Sequence, residues 1–188
     1  PTLPYPCEGI NVPKKASRLP NAPREYRSGI HRGIDFFTNW GTQVQAVSDG
    51  TVIRADHNFE EVRPEFRKAL LKSASNIKRT PSDIFEHILL GKTVILDHGP
   101  GLIPGFRVIT IYAHLSYINN NIKPGTNISA KELIGKTGNT GMEASTYGKR
   151  DGAHLHWEMI LQNETGEFYL GQGLDYDELF PLLITLFK

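Results

Sequence analysis

The 188-residue sequence has a single cysteine, Cys7, which excludes an intramolecular disulfide framework. It has no apolar run close to the length of about 20 residues that a membrane-spanning helix needs. Neither sign of charge is in excess, because 21 Lys and Arg are offset by 20 Asp and Glu. This balance gives no support for a nucleic-acid partner. The length suits one domain with a substantial core rather than two.

Proline is concentrated at the start of the chain, where six of the 12 prolines fall within residues 1–27. Because proline is disfavoured in helices and central strands, we expect an extended N-terminal arm over 1–27, followed by a single domain over 28–188. No signal-peptide pattern is visible, and we expect a targeting segment to lie outside this chain.

Short β-type runs separated by glycine turns fill most of the domain. Residues 44–55 predict two strands joined at Asp49-Gly50, a dipeptide typical of hairpins. A second pair is predicted at 92–99 and 106–115. Further strands are predicted at 133–137 and 155–161. This spacing favours a mainly β fold, an antiparallel sandwich or open barrel.

Two segments do not follow this pattern of short strands and turns. Within residues 58–90 the apolar side chains recur at helical spacing, which predicts a helical insertion between two strands. Residues 175–188 are apolar enough to pack as a short C-terminal helix despite Pro181. The insertion is either a solvated decoration or a wall that restricts access to a groove, and it could also dock an envelope protein partner.

Three segments hold histidines in unusual settings. His31 and Asp35, four residues apart, are both competent zinc ligands, but this spacing alone is a weak signal. His154 and His156 flank Leu155 on a predicted strand, so their side chains should face one cavity unless they are surface histidines at a sheet edge. His114 ends an apolar strand, a position that also suits a structural histidine.

In this order, five segments resemble the lysostaphin-type (LytM-like) zinc endopeptidases of peptidoglycan. The segments are HRGID (31–35), VILDHG (94–99), YAHLS (112–116), LIGKTGNTG (133–141) and HLHWE (154–158). The resemblance spans roughly residues 10–162. The insertion at 58–90 and the longer loop at 99–106 depart from the short core of the family, so the shape of the groove is less predictable than the metal centre.

The resemblance implies that His31, Asp35 and His156 hold one zinc ion per chain, and that His114 and His154 are catalytic. It implies hydrolysis of peptide cross-links or stem peptides of peptidoglycan by a zinc-activated water. It also implies a location in the cell envelope, periplasmic or extracellular. The donor to the developing oxyanion stays open, with Tyr26 as one candidate. His57 and His87 match no position of the pattern.

Two other functions compete with this interpretation. The chain could be a non-catalytic envelope module that regulates another cell-wall hydrolase, although such modules typically lack one or more metal ligands. It could also be a phosphocarrier domain using His114 and His154, but that function has no need of Asp35. Zinc content distinguishes the peptidase from the phosphocarrier. The bond cleaved and the oligomeric state are not predicted by the sequence.

Overall fold

The computed structural model describes all 188 residues and contains twelve β-strands. Their bounds are β1 Pro23–Arg24, β2 Gly29–Ile30, β3 Ile34–Phe37, β4 Gln43–Gln45, β5 Gly50–Ala55, β6 Val94–Ile103, β7 Phe106–Ala113, β8 Leu115–Ile118, β9 Asn127–Ile128, β10 Leu133–Thr137, β11 His154–Asn163 and β12 Gly166–Tyr169. All pairings are antiparallel.

The strands form three sheets. The largest runs in the order β12-β11-β7-β6-β5-β9, with β3 also paired to β11. The second runs β4-β10-β8, and β1 pairs with β2. The predicted mainly β, antiparallel class is confirmed, as is the pairing of the strands predicted at 92–99 and 106–115, which are β6 and β7.

The hairpin predicted over residues 44–55 is wrong. β4 pairs with β10, whereas β5 pairs with β6 and β9 in a different sheet. A two-residue hairpin turn needs positive φ at its central positions, and neither Asp49 nor Gly50 has it. Instead, Asp49 Oδ1 accepts a hydrogen bond from the Ala130 N–H at 2.8 Å, and Gly50 is already extended beside Ile128.

The α-helices and one π-helical turn occupy three places, apart from two 3₁₀ turns at Ala16–Arg18 and Glu25–Arg27. Between β5 and β6 lie α1 (Pro64–Asn76), α2 (Ser82–Ile84) and a π-helical turn (Phe85–Leu89), within the residues where the insertion was predicted. A short α3 (Glu143–Thr146) precedes β11, and α4 (Tyr176–Leu186) closes the chain. No helix has the length and apolar character required to cross a membrane.

Strand β11 separates the core from the site, because alternate side chains of a strand point to opposite faces. On one face Leu155, Trp157 and Met159 are buried in the main hydrophobic core. His154 and His156 line a cavity on the other side, as their spacing predicted.

The proline-rich N-terminal residues are packed on this core. Leu3, Cys7 and Leu19 are buried within it, and the Leu3 N–H donates to the Leu186 carbonyl at 2.7 Å. Burial raises the pKa of the Cys7 thiol to about 12, so this residue acts as a small apolar group. The division of the chain into an arm and a domain at residue 27, and the insertion bounds at 58 and 90, stay predictions.

Candidate metal centre and active site

Strand register brings the predicted site residues together. On one side of β11, His156 is opposite Asp35 of β3; on the other it is opposite Ala113, the last residue of β7 before His114. Gly33, the residue just before β3, allows this part of the chain to lie close to β11. A Cβ there would lie 2.5 Å from the Trp157 carbonyl oxygen and 2.9 Å from His156 Cε1. Any larger residue at this position would push the segment away from β11.

Three buried side chains converge on one point. His31 Nε2 lies 2.9 Å from Asp35 Oδ1 and 3.1 Å from His156 Nδ1, and His156 Nδ1 lies 2.8 Å from Asp35 Oδ1. Donor atoms around a tetrahedral zinc ion are separated by about 3.3 Å, given zinc–nitrogen bonds of about 2.0–2.1 Å. The three side chains form a group that could hold a metal ion.

The outer ring nitrogens fix which atoms face inward. His31 Nδ1 lies 2.8 Å from the Leu19 carbonyl, which only accepts, so this nitrogen carries the proton. His156 Nε2 lies 2.8 Å from Glu158 Oε1 and donates to that carboxylate. With the neutral rings in these tautomers, the inner nitrogens and Asp35 Oδ1 present lone pairs to one another. A cation among them relieves that repulsion, so the residues present fit a metal.

When no metal is bound, a proton between the facing lone pairs relieves their repulsion. Burial alone would lower the pKa of His156, but its hydrogen bonds to Asp35 and Glu158 raise that pKa to about 9. Burial alone would raise the pKa of Asp35, but the hydrogen bond from His156 and the neighbouring His31 ring hold that pKa well below its ordinary range. Arg24 Nη2 binds the other carboxylate oxygen, Asp35 Oδ2, at 3.0 Å and so leaves Oδ1 to face the cluster.

The two remaining histidines flank the cluster. His114 Nδ1 donates to the Thr140 carbonyl at 2.7 Å and His154 Nδ1 to the Gly152 carbonyl at 2.8 Å, so both Nε2 atoms keep a free lone pair. Burial lowers the pKa of each ring, that of His114 well below its ordinary value. Both are therefore neutral at pH 7 and able to accept a proton at Nε2.

His114 also has an unusual backbone conformation. Its φ is +59°, in the left-handed region, which costs a non-glycine residue roughly 1–2 kcal/mol. The His114 N–H donates a hydrogen bond to the Leu90 carbonyl at 2.8 Å. The ring centroids of His114 and His154 are 4.8 Å apart. The fold therefore tolerates local strain to bring these two rings together.

One cavity of about 420 Å³ contains all five predicted residues. Its walls also include Arg67, Lys68 and Leu71 of α1, together with Phe85, Leu89 and Leu90 from the end of the helical segment. Tyr26 lines it too and is 57% exposed. The helices between β5 and β6 are thus part of the groove.

Sequence reasoning gave no role to Glu158, Arg24 or the Leu19 carbonyl. Glu158 was detectable in principle, because it lies two residues after His156 and so shares its strand face. The other two were not detectable, since a loop carbonyl and a side chain from another segment meet the site only after folding. Phe37 was missed for the same reason; it stacks on His154 with ring centroids 4.6 Å apart.

A mainly β protein with a buried His–Asp–His cluster and two neutral histidines in one cavity is typical of metal-dependent hydrolases. The comparisons with known proteins agree. The model of Peptidase family M23 matches residues 81–167. Lysostaphin of Staphylococcus staphylolyticus is 24% identical over 159 residues, which cover 85% of this chain and 24% of lysostaphin.

Solved structures are similar too. A zinc containing peptidase from Vibrio cholerae is 19% identical, with a TM-score of 0.50, and the match covers 90% of this chain and 39% of that chain. The catalytic domain of lysostaphin from Staphylococcus simulans is 23% identical, with a TM-score of 0.47, covering 78% and 80% of the two chains. The Vibrio cholerae structure shows that the fold is shared.

These findings confirm the resemblance of the chain to the LytM-like peptidases of family M23. The matched segment contains His114, His154 and His156, whereas His31 and Asp35 precede it. The chain spans about a quarter of the length of lysostaphin.

Proposed function

We propose that this chain is a zinc-dependent endopeptidase that hydrolyses peptide cross-links or stem peptides of bacterial peptidoglycan, in the periplasm or outside the cell. The observation that supports it most strongly is the convergence of three lone pairs, held by outer hydrogen bonds, beside two histidines with free Nε2 atoms. Similarity to lysostaphin supports the substrate class.

His31, Asp35 and His156 would hold the metal, one ion per chain. Two neutral imidazoles and one carboxylate leave a bound zinc ion with net positive charge, so it would act as a Lewis acid and lower the pKa of a bound water from 15.7 to near 7.

His154 is the better placed proton acceptor. Its Nε2 lies 3.6 Å from Asp35 Oδ1, and the Asp35 charge stabilises the imidazolium that forms when the attacking water gives up its proton. That proton is then available to the departing amine. His114 Nε2 also keeps a free lone pair, because its Nδ1–H donates to Thr140, and it would accept a hydrogen bond from the water and orient it.

The direct test is digestion of purified muropeptides of several chemotypes, with mass spectrometry of the products and metal analysis of the protein. We expect about one zinc per chain, cleavage of at least one chemotype, loss of cleavage with a chelator, and recovery with zinc. A protein that binds zinc but cleaves none of them would instead be the non-catalytic envelope module. A zinc-free protein phosphorylated on His114 or His154 would be the phosphocarrier.

Zinc binding should compete with protons. Because the His156 pKa is raised to about 9, the imidazolium predominates at pH 7 and must lose its proton before Nδ1 binds a metal. Apparent zinc affinity is therefore expected to rise about tenfold per pH unit from pH 7 to 9 and then level off. Calorimetry in buffers of different ionisation enthalpy measures the released proton. An affinity that is constant across this range would contradict the proposed ligand.

Glu158→Gln is expected to weaken zinc binding about 10- to 100-fold, because a neutral amide makes the His156 imidazole less basic than the buried carboxylate does. Arg32, which lies 3.2 Å from Glu158 Oε2, also loses its partner. Glu164→Gln, an exposed change just beyond the same strand, is the control. Competition with a chromophoric chelator gives the affinities. Equal affinities for the two variants would show that Glu158 does not support the ligand.

A further inference from the structure

Two buried arginines that line the cavity form no ion pair. Arg27 and Arg67 are each only 8% exposed, and neither has a carboxylate oxygen within 4.0 Å. Other arginines of the chain do pair with carboxylates: Arg24, Arg32, Arg54 and Arg107. A buried charge without an ion pair is costly. Two such guanidinium groups in one cavity therefore favour the binding of an anionic ligand.

The two guanidinium groups come from neighbouring elements. Arg27 lies in the 3₁₀ turn Glu25–Arg27, against which α1 packs, and Arg67 belongs to α1. The Arg27 guanidinium rests on the Phe85 ring, 4.6 Å from its centroid, and burial lowers its pKa. Both line the cavity that contains the His31–Asp35–His156 cluster.

Their remaining contacts leave donors free. Arg67 gives its Nε–H to the Gly141 carbonyl at 3.3 Å, and Arg27 gives one Nη2–H to the Ile30 carbonyl. A guanidinium has five N–H donors, so each arginine keeps others for a ligand. Glu61 binds the Gly141 N–H at 2.9 Å, close to Arg67, yet forms no ion pair with it.

The excess of cationic side chains in the cavity also favours an anionic ligand. Four cationic side chains line it, Arg24, Arg27, Arg67 and Lys68, against two carboxylates, those of Asp35 and Glu143. Arg24 is already bound to Asp35. Planar guanidinium groups match carboxylates, which they bind through paired hydrogen bonds.

We propose that Arg27 and Arg67 form a carboxylate-binding subsite that selects peptides with a free carboxylate near the scissile bond. The inference rests on the proposed peptidase function and deepens it by naming the chemistry of the preferred substrate. It also gives the segment between β5 and β6 a role, since α1 supplies half of the subsite.

The test is calorimetric binding of two probe pairs to the zinc-loaded full chain. One pair is the N-acetylated stem tetrapeptide L-Ala–γ-D-Glu–L-Lys–D-Ala with its carboxylates free or amidated; the other is N-acetyl-pentaglycine as free acid or amide. In at least one pair the free acid is expected to bind about 10- to 100-fold more tightly. Arg27→Gln and Arg67→Gln should each reduce that preference at least severalfold. Lys72→Gln, an exposed change on α1, should keep it.

Three results would overturn the subsite. They are equal binding of acid and amide in both pairs, no binding of any probe, and a preference that persists in both arginine variants, which would mean that the metal itself binds the carboxylate. If Arg67 only braces Glu61 and Gly141, Arg67→Gln would weaken acid and amide equally and also leave the subsite refuted. Because these are binding measurements, absence of muropeptide cleavage would refute the proposed function without removing a measured carboxylate preference.

Discussion

Replacing His31, Asp35 or His156 by alanine is expected to remove most of the bound zinc, with hydrolysis falling in proportion. Each change deletes one of the three proposed protein ligands, whose donor atoms lie within 4.8 Å of one another. Loss of an outer contact alone costs about 10- to 100-fold in metal affinity, so loss of a ligand should exceed that range. Metal analysis of the purified variants, beside muropeptide digestion, measures both effects.

His87→Ala is the matched control, because His87 is exposed and lies outside the cavity. It should keep full zinc content and activity. Circular dichroism separates metal loss from unfolding, which matters most for Asp35→Ala, because that change also leaves Arg24 without its partner. A fully loaded His156→Ala protein together with a zinc-free His114→Ala protein would show that ligand and proton carrier have been exchanged in our assignment.

The second large effect is expected at His114 and His154. His154→Ala should keep zinc and lose about two to four orders of magnitude in kcat/KM, the usual contribution of a positioned acid–base group. Its Nε2 has a free lone pair 3.6 Å from Asp35 Oδ1, whereas its Nδ1 donates to the Gly152 carbonyl. Kinetics on a cleaved muropeptide, normalised to zinc content, give the ratio.

At His114 the substituted residue has to tolerate the positive φ of the backbone. Asparagine tolerates positive φ better than alanine, so His114→Asn is the variant of choice. We expect full zinc content and a similar loss of rate. If the His114 and His154 variants retained wild-type rates, neither ring would take part in proton transfer, and the chemistry would have to be reassigned to other residues of the cavity.

Sequence patterns were sufficient where the physical cause is local. Alternation along β11 placed His154 and His156 on one face, because a strand repeats every two residues. Helical periodicity indicated the helices between β5 and β6, and an apolar C-terminal segment predicted α4 even with Pro181 inside it. The five ordered segments indicated a resemblance to LytM-like peptidases, which the comparisons confirm.

Local patterns failed where pairing is long-range. Asp49-Gly50 is a common hairpin dipeptide, yet the strands on either side of it joined different sheets, because Asp49 binds the distant Ala130 and β5 has better partners in β6 and β9. The prolines within residues 1–27 predicted an extended arm, but they gave no sign that its apolar residues would be buried on the core. Burial depends on which apolar surface the rest of the chain leaves uncovered.

The sequence by itself therefore determined the class of fold, the set of candidate ligands and the resemblance to a family. Only the tertiary structure decided how the ligands are held. The Leu19 carbonyl and Glu158 fix the tautomers of His31 and His156, Arg24 binds Asp35, and Arg27 and Arg67 line the same cavity. The physical reason is that hydrogen bonds and charges act over a few ångströms in space, even between residues such as Asp35 and His156 that are 121 positions apart in the chain.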